Sequence, residues 1–475
     1  MRSGWFLQDL MSSIADQGRN WLPSALFGQD EATTGMQSLI EALVRSRGEA
    51  SGLAIAHQIL RHYRALEDDD QRSAFFRYLD QRFQPDPAKI TAAVDAYRVA
   101  PGPDSLRDLQ SAVESPLQEF FRRLNQAPGG TAQIVRMRED VLRLRRTDPA
   151  IARVDDDMIH LLQSWFNRGF LVLQRIDWQT PAAILDKIIK YEAVHAIQGW
   201  ADLRRRLEPH DRRCFAFFHP AMGDDPLIFV EVALMEDIPG DIGSVLHEAP
   251  SELAPNEMST AVFYSISNCQ AGLRGISFGN FLIKQVVADL LDEQPNLKTF
   301  VTLSPMPGFA DWLERARTNG TLHLTDEHSA ALSALEADAW VGDRGALESL
   351  QPILSGLGAH YFLNARDARG RIIDPVARFH LGNGARLERV NVAANLSERG
   401  LREAHGLMVN YLYEPREIEQ NHEAFANDGS VAAARGVKQA AKLITANEPP
   451  SLDDASQVLQ RNATEMSERV GVANR

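Results

Sequence analysis

The sequence predicts two regions of different class: an all-α helical bundle over residues 1–165 and an α/β or α+β region over residues 166–475. Three observations carry this. Apolar residues recur at helical spacing through the first third, with proline- and glycine-bearing breaks between the segments. From Trp165 onward, short β-rich runs alternate with helical patterns. In the middle of the second region, QAGLRGISFGNFLIK (Gln270 to Lys284) follows a β-rich run and reads as a glycine-bearing turn into a helix.

In the bundle, Met36, Leu39, Ile40, Leu43 and Val44 share one helical face. Amphipathic segments follow at Gln71 to Phe83, Ile90 to Val99, Ser105 to Leu124 and Ile134 to Arg145. They are separated by Pro85-Asp86-Pro87, Pro101-Gly102-Pro103 and Pro128-Gly129-Gly130, and such short breaks favour antiparallel neighbours. The runs Asp68-Asp69-Asp70 and Asp155-Asp156-Asp157 read as solvated helix N-termini. Three consecutive carboxylates on a helix do not converge on one point, and the positive end of a helix favours them.

In the second region, Phe170 to Ile176 reads as a strand, and Thr180-Pro181 opens a helix with a cap residue and proline at the first position. Further strands are expected at Arg213 to Phe218, Leu227 to Leu234, Ala261 to Ser267 and Lys298 to Ser304. Ile228 to Leu234 and Val262 to Ile266 are apolar enough for the interior of a sheet.

The totals set bounds. A chain of 475 residues with 44% hydrophobic and 24% charged residues has room for two to three domains. A net charge of −14 argues against nucleic acid as the main partner. Cys214 and Cys269 are too few for a disulfide framework or a four-cysteine zinc site, which fits a reducing, intracellular setting, and with no targeting signal recognised a cytoplasmic location is expected. No run of about eighteen apolar residues is present, so no membrane span is expected. HExxH, GxSxG and GxxxxGK[ST] are all missing, which disfavours a zinc protease, an α/β-hydrolase and a P-loop nucleotidase.

Four places carry candidate chemistry. The turn Arg274-Gly275-Ile276-Ser277-Phe278-Gly279-Asn280 aims backbone N–H groups at an anion, and glycines let a phosphate approach. Ser304, in LSPMPGF, sits at the end of a strand where ligand-facing groups collect. Asp374 caps and Pro375 opens a short helix that Asn383-Gly384 closes, which puts His380 in the last turn. The helix C-terminus there favours the imidazolium, a candidate general acid. Tyr411 and Tyr413 share one face of a strand, from which Tyr413 can donate a hydrogen bond into a site. Each has a plainer reading as a turn, a turn-forming serine, a C-cap histidine or a packing tyrosine, and the residues alone leave both open.

Taken in order, FYSISNCQAGLRG, FGNFLIKQVV, LSPMPGF, DPVARFHLGNGA and GLMVNYLY resemble the malonyl-CoA decarboxylase family, as does WFNRGFLVLQRIDW ahead of them. The resemblance implies a helical bundle followed by a GNAT-like acyl-CoA-binding domain. It implies conversion of malonyl-CoA to acetyl-CoA and CO2, with no cofactor and no metal, because the thioester itself accepts the electrons. It places the substrate-binding loop at Arg274, Gly275, Ile276, Ser277, Phe278, Gly279 and Asn280, the catalytic pair at Ser304 and His380, and adds Ser265 and Tyr413 to the site. Animal members carry glutamate where this chain has Ser277. Members are often tetramers, so a homo-oligomer is expected. A CoA-dependent acyltransferase of the same fold and a non-catalytic acyl-CoA sensor are the alternatives.

Overall fold

The computed structural model describes residues 32–246, 252–276, 282–337 and 340–446. A helical N-terminal region is followed by a mixed α/β sheet region. Among the described residues the first region has eight helices: Ala32–Arg45, Glu49–Arg64, Asp69–Arg82, Pro87–Val99, Pro103–Val113, Pro116–Asn125, Gly130–Leu144 and Pro149–Trp165. Their apolar faces meet in one core that includes Ile40, Ile59, Phe76, Phe120, Phe121 and Val141. Met36, Leu39, Ile40 and Leu43 are buried as the spacing predicts, whereas Val44 stands at the edge of that face, 36% exposed.

Two other expectations are corrected. Ser105 to Leu124 is two helices, because Pro116 cannot continue a helix and holds Ser115 in an extended conformation. Asp68 does cap a helix, accepting the Gln71 N–H. Asp155 to Asp157, however, lie inside a helix, which begins earlier at Pro149 with Asp148 as its cap. Asp155 is fully buried and accepts from Arg138 Nε at 2.7 Å. Asp157 accepts from Ser115 and Gln118.

The strands are β1 (Val172–Ile176), β2 (Arg212–Phe218), β3 (Pro226–Met235), β4 (Thr260–Asn268), β5 (Thr299–Thr302), β6 (Ser304–Pro305), β7 (Leu322–His323), β8 (Arg386–Asn391), β9 (Met408–Leu412) and β10 (Thr445–Ala446). The main sheet has the order β1-β2-β3-β4-β5-β9-β6, with β8 also on β9; β7 and β10 form a separate pair. The pairing of β4 with β5 is parallel, and those of β1 with β2 and of β9 with β5, β6 and β8 are antiparallel. The expected strand Lys298 to Ser304 is two short strands with Leu303 between them. The helix expected at Thr180-Pro181 starts at Ala182, because Pro181 takes the cap position and the Thr180 hydroxyl binds the Asp177 N–H instead.

The chain packs as two compact units. One comprises Met1–Glu208, Arg213–Glu231 and Ile266–Val286; the other comprises Pro209–Arg212, Val232–Ser265 and Val287–Arg475. The first holds the helical bundle, β1 and most of β2. The second has a core of Val262, Tyr264, Val301, Leu303 and Met408, and carries β5, β6, β8 and β9. No helix among the described residues is long and apolar enough to cross a membrane.

The helix Pro375–Gly382 ends as expected, with Asn383 as C-cap and Gly384 at φ +83°. A Cβ at Gly384 would overlap the Ile418 carbonyl. Gly384→Ala therefore combines a left-handed backbone with overpacking and is expected to cost about 2–4 kcal/mol in urea melts. An unchanged urea midpoint would show that this turn relaxes freely.

Candidate active site

The site is built from two short strands, one helix and the residue just past a third strand, all in the second unit. Thr302 and Ser304 are two residues apart at the junction of β5 and β6, so their side chains share a face. Ser304 Oγ donates to Thr302 Oγ1 at 2.9 Å. Asp374 caps the helix Pro375–Gly382 through the Ala377 N–H, at 2.8 Å. That helix carries His380 to Ser304: Nε2 lies 3.2 Å from Ser304 Oγ. On the other side of the ring, Nδ1 lies 2.8 Å from the Tyr413 hydroxyl. Tyr413 follows β9, and its N–H continues the sheet by bonding the Phe300 carbonyl. Tyr411 stacks flat on the His380 ring, at 4.6 Å between centroids and 22° between planes.

The directions of these bonds follow from the proton inventory. The single Ser304 proton goes to Thr302, which also accepts the Tyr411 N–H. The 3.2 Å contact must then be Nε2–H donating to Ser304 Oγ. A neutral imidazole has one donor and one acceptor, so Nδ1 accepts from Tyr413 O–H. The protons all point one way, from Tyr413 through His380 and Ser304 to Thr302.

This order requires a neutral ring, and burial supplies it. His380 is 3% exposed, and desolvation pushes its pKa from 6.5 down to about 3. The sequence reading of a standing imidazolium is corrected here. His380 does lie in the last helical turn, but a helix C-terminus is worth at most about 2 kcal/mol to a cation. The shift from 6.5 to about 3 corresponds to roughly 5 kcal/mol, so burial wins.

Other partners were not legible in the sequence. Asn410, fully buried inside β9, donates to the Thr302 carbonyl at 2.9 Å and accepts from Asn391 and Arg389. It fixes the strand end that presents Ser304. A buried asparagine in the apolar run MVNYL was the available signal for it, and the two-residue spacing to Ser304 was the signal for Thr302.

Ser265 is buried on β4 in the second unit. Arg274, Gly275 and Ile276 belong to the first unit, where Gly275 has φ +82°, a conformation that favours glycine. Ser277, Phe278, Gly279 and Asn280 lie outside the described residues. Among the described residues no group of three or more His, Cys, Asp or Glu side chains is placed to hold a metal ion.

Comparison with known proteins gives consistent matches. The family model for the malonyl-CoA decarboxylase C-terminal domain matches residues 169–451, and that for its N-terminal domain matches residues 83–166. The mitochondrial malonyl-CoA decarboxylase of Rattus norvegicus is 35% identical over 69% of this chain and 72% of its own length. The crystal structure of malonyl-CoA decarboxylase from Rhodopseudomonas palustris is 52% identical, with TM-score 0.81, covering 85% of this chain and 98% of that one. The enzyme from Agrobacterium vitis is also 52% identical with TM-score 0.81, covering 86% and 99%.

The cap of the helix bearing His380 yields a test. Burial pushes the Asp374 carboxyl from 3.8 up to about 6, against the hydrogen bonds from its own helix and from Tyr361. The folded state therefore favours the protonated form. That contribution is complete below pH 3.8 and is lost as pH rises through about 6. Asp374→Asn keeps a cap acceptor and has no charge to bury. Its stability is expected to gain on the parent protein across that window, by up to about 3 kcal/mol at neutral pH. Urea melts from pH 4 to 8 check this, and a stability difference that does not vary with pH would contradict it.

Proposed function

This chain belongs to the malonyl-CoA decarboxylase family, and we propose that it converts malonyl-CoA to acetyl-CoA and CO2 through the Ser304–His380 pair. The observation that carries the proposal is the buried, one-way hydrogen-bond chain through Tyr413, His380 and Ser304. A site of this kind is suited to protonating carbon, because it delivers one proton at one atom and excludes water from the rest.

The carboxylate of malonyl-CoA meets Ser304 Oγ and the N–H of His380. An opposite charge within about 4–6 Å raises an imidazole pKa by about one to three units. Such a rise lifts the ring from a pKa of about 3 to between about 4 and 6, so a fraction of the rings takes up a proton from solvent at Nδ1 as the substrate anion arrives, and the Tyr413 hydroxyl turns to accept from it. The bond between the carboxylate carbon and Cα then breaks. CO2 leaves, and the electron pair passes into the thioester as an enolate. Cα takes the Nε2 proton, directly or through the Ser304 hydroxyl, and His380 returns to neutral. One solvent proton is consumed per turnover, as the overall reaction requires. The thioester is the electron sink, so the chemistry calls for neither metal nor biotin.

Tyr413 has a different part from stabilising the enolate oxygen. In the free protein its proton goes to Nδ1, and burial raises its pKa well above the ordinary tyrosine value. It stays protonated and fixes the tautomer. Backbone N–H groups of the loop that begins at Arg274 are the candidate donors to the phosphates of the CoA ester. That loop and Ser265 form the substrate-binding part of the proposal. The unpaired, buried Cys214 and Cys269 favour a cytoplasmic location, and the family favours a homo-oligomer, a tetramer among the options.

Incubation with malonyl-CoA alone, followed by mass spectrometry of the CoA pool, is expected to give stoichiometric acetyl-CoA. His380→Ala is expected to lower kcat about 10²–10⁴-fold with a smaller change in KM. A loss confined to KM would make His380 a binding residue. Tyr413→Phe is expected to lower kcat about 5- to 150-fold, the cost of one unpaired buried group. Turnover is expected to survive EDTA; reversible loss restored by a metal would contradict the scheme. Release of free CoA on adding an amine would point to acyl transfer instead.

A further inference from the structure

The first unit contains a buried cation that the scheme above leaves unused. Arg138, in the helix Gly130–Leu144, is 1% exposed. Its Nε donates to Asp155 at 2.7 Å, and Asp155 also takes Arg145. Its Nη1 donates to two backbone carbonyls, Gly272 O at 2.6 Å and Arg274 O at 3.0 Å. Those carbonyls belong to the tight turn Ala271–Leu273 and the residue after it, which lead into the predicted anion-binding loop. The contact is close on the backbone side too: a Cβ at Gly272 would overlap the Val135 carbonyl of the same helix.

The consequence follows from peptide geometry. In a planar trans peptide the C=O and N–H point in opposite directions. With the Arg274 carbonyl held against Arg138, the N–H of Gly275, in the same peptide unit, must point away from the bundle. The N–H groups of Leu273, Arg274 and Ile276 are taken by Gln270, Ala271 and Leu273 carbonyls. The Gly275 N–H makes no hydrogen bond to the described residues. The guanidinium thus orients one N–H outward beside a glycine at φ +82°. We infer that Arg138 is a positioning residue: through the carbonyls of Gly272 and Arg274 it aims the Gly275 N–H at the diphosphate of the CoA ester. Asp155 holds the guanidinium in that pose. The inference rests on the reading that this loop binds a CoA ester.

Arg138→Lys tests it. Lysine keeps the charge beside Asp155, but a single ammonium cannot span a carboxylate and two carbonyls as the planar fork does. Hydrogen bonds to a charged group are worth enough that KM for malonyl-CoA and Kd for free CoA are expected to rise about tenfold or more, with kcat within about threefold. Asp155→Asn, which leaves the guanidinium in place, is expected to move the same two constants in the same direction by less. A purely structural role would lower the folded fraction and leave KM and Kd of the folded protein unchanged, and that result overturns the inference. Free CoA binding separates the two claims. If the parent protein binds CoA without turnover and Arg138→Lys weakens binding, the decarboxylase reading falls and the positioning role stands. If the parent protein turns over and CoA binds both proteins equally, only the positioning role falls. Should neither variant fold, hydrogen exchange of the parent protein decides. Free CoA is expected to slow exchange in the peptide covering 271–276, and no slowing there overturns the inference.

Discussion

The account depends on an imidazole buried without a counter-charge. Desolvation holds His380 neutral in the free protein, and neutrality dictates that one ring nitrogen donates while the other accepts. Everything around the ring serves that condition. Tyr413 donates to Nδ1, Tyr411 covers a face, and Ser304 passes its own proton on to Thr302. A carboxylate beside the ring would have raised its pKa already in the free protein and weakened the driving force for taking up a proton with the substrate. On the proposed mechanism the substrate is the counter-charge.

Holding a neutral ring in one orientation demands a rigid frame, and the frame is mostly local. The helix Pro375–Gly382 has a fixed start at Asp374-Pro375 and a fixed stop at Asn383-Gly384. Between them His380 has one place to be. Opposite, β9 pairs with β5, β6 and β8 and so holds Tyr411 and Tyr413 in register with Ser304. Asn410 closes the frame from the sheet side, tying Thr302 to β9. The exposed ion pairs of the bundle, such as Arg107 with Asp104, add little to this, since solvated pairs are worth about 0–1 kcal/mol. The buried Arg138–Asp155 pair differs in kind. Its net stability is small once desolvation is counted, but it binds two specific carbonyls and so specifies the shape of a turn.

What the sequence made legible was what local chemistry decides. Caps, prolines and a terminal glycine placed the His380 helix to the residue. Continuous β-rich apolar runs placed β2, β3 and β4, and the helical faces of the bundle followed from spacing. The motif resemblance then brought Ser304, His380 and Tyr413 together. The failures share one cause: they involve partners far apart in the chain. Thr302 and Asn410 are separated by 108 residues, and Arg138 and Gly272 by 134. Nothing near Asp155 announces a buried partner, so a carboxylate triplet read as a solvated helix end. The charge of His380 failed in the same way. The helix end that favours a cation is local and visible, whereas the burial that overrides it is assembled from strands and helices the sequence does not bring together on its own.

The protonation state of His380 in the free protein tests the central claim most directly. Nitrogen-15 spectra of histidine-labelled protein, with the His380 signals assigned by their loss in His380→Ala, report both ring nitrogens from pH 5 to 8. The account predicts a neutral ring protonated at Nε2 across this range, in keeping with a pKa pushed down to about 3. A ring that titrates near its ordinary pKa of 6.5, or one protonated at Nδ1, would contradict it.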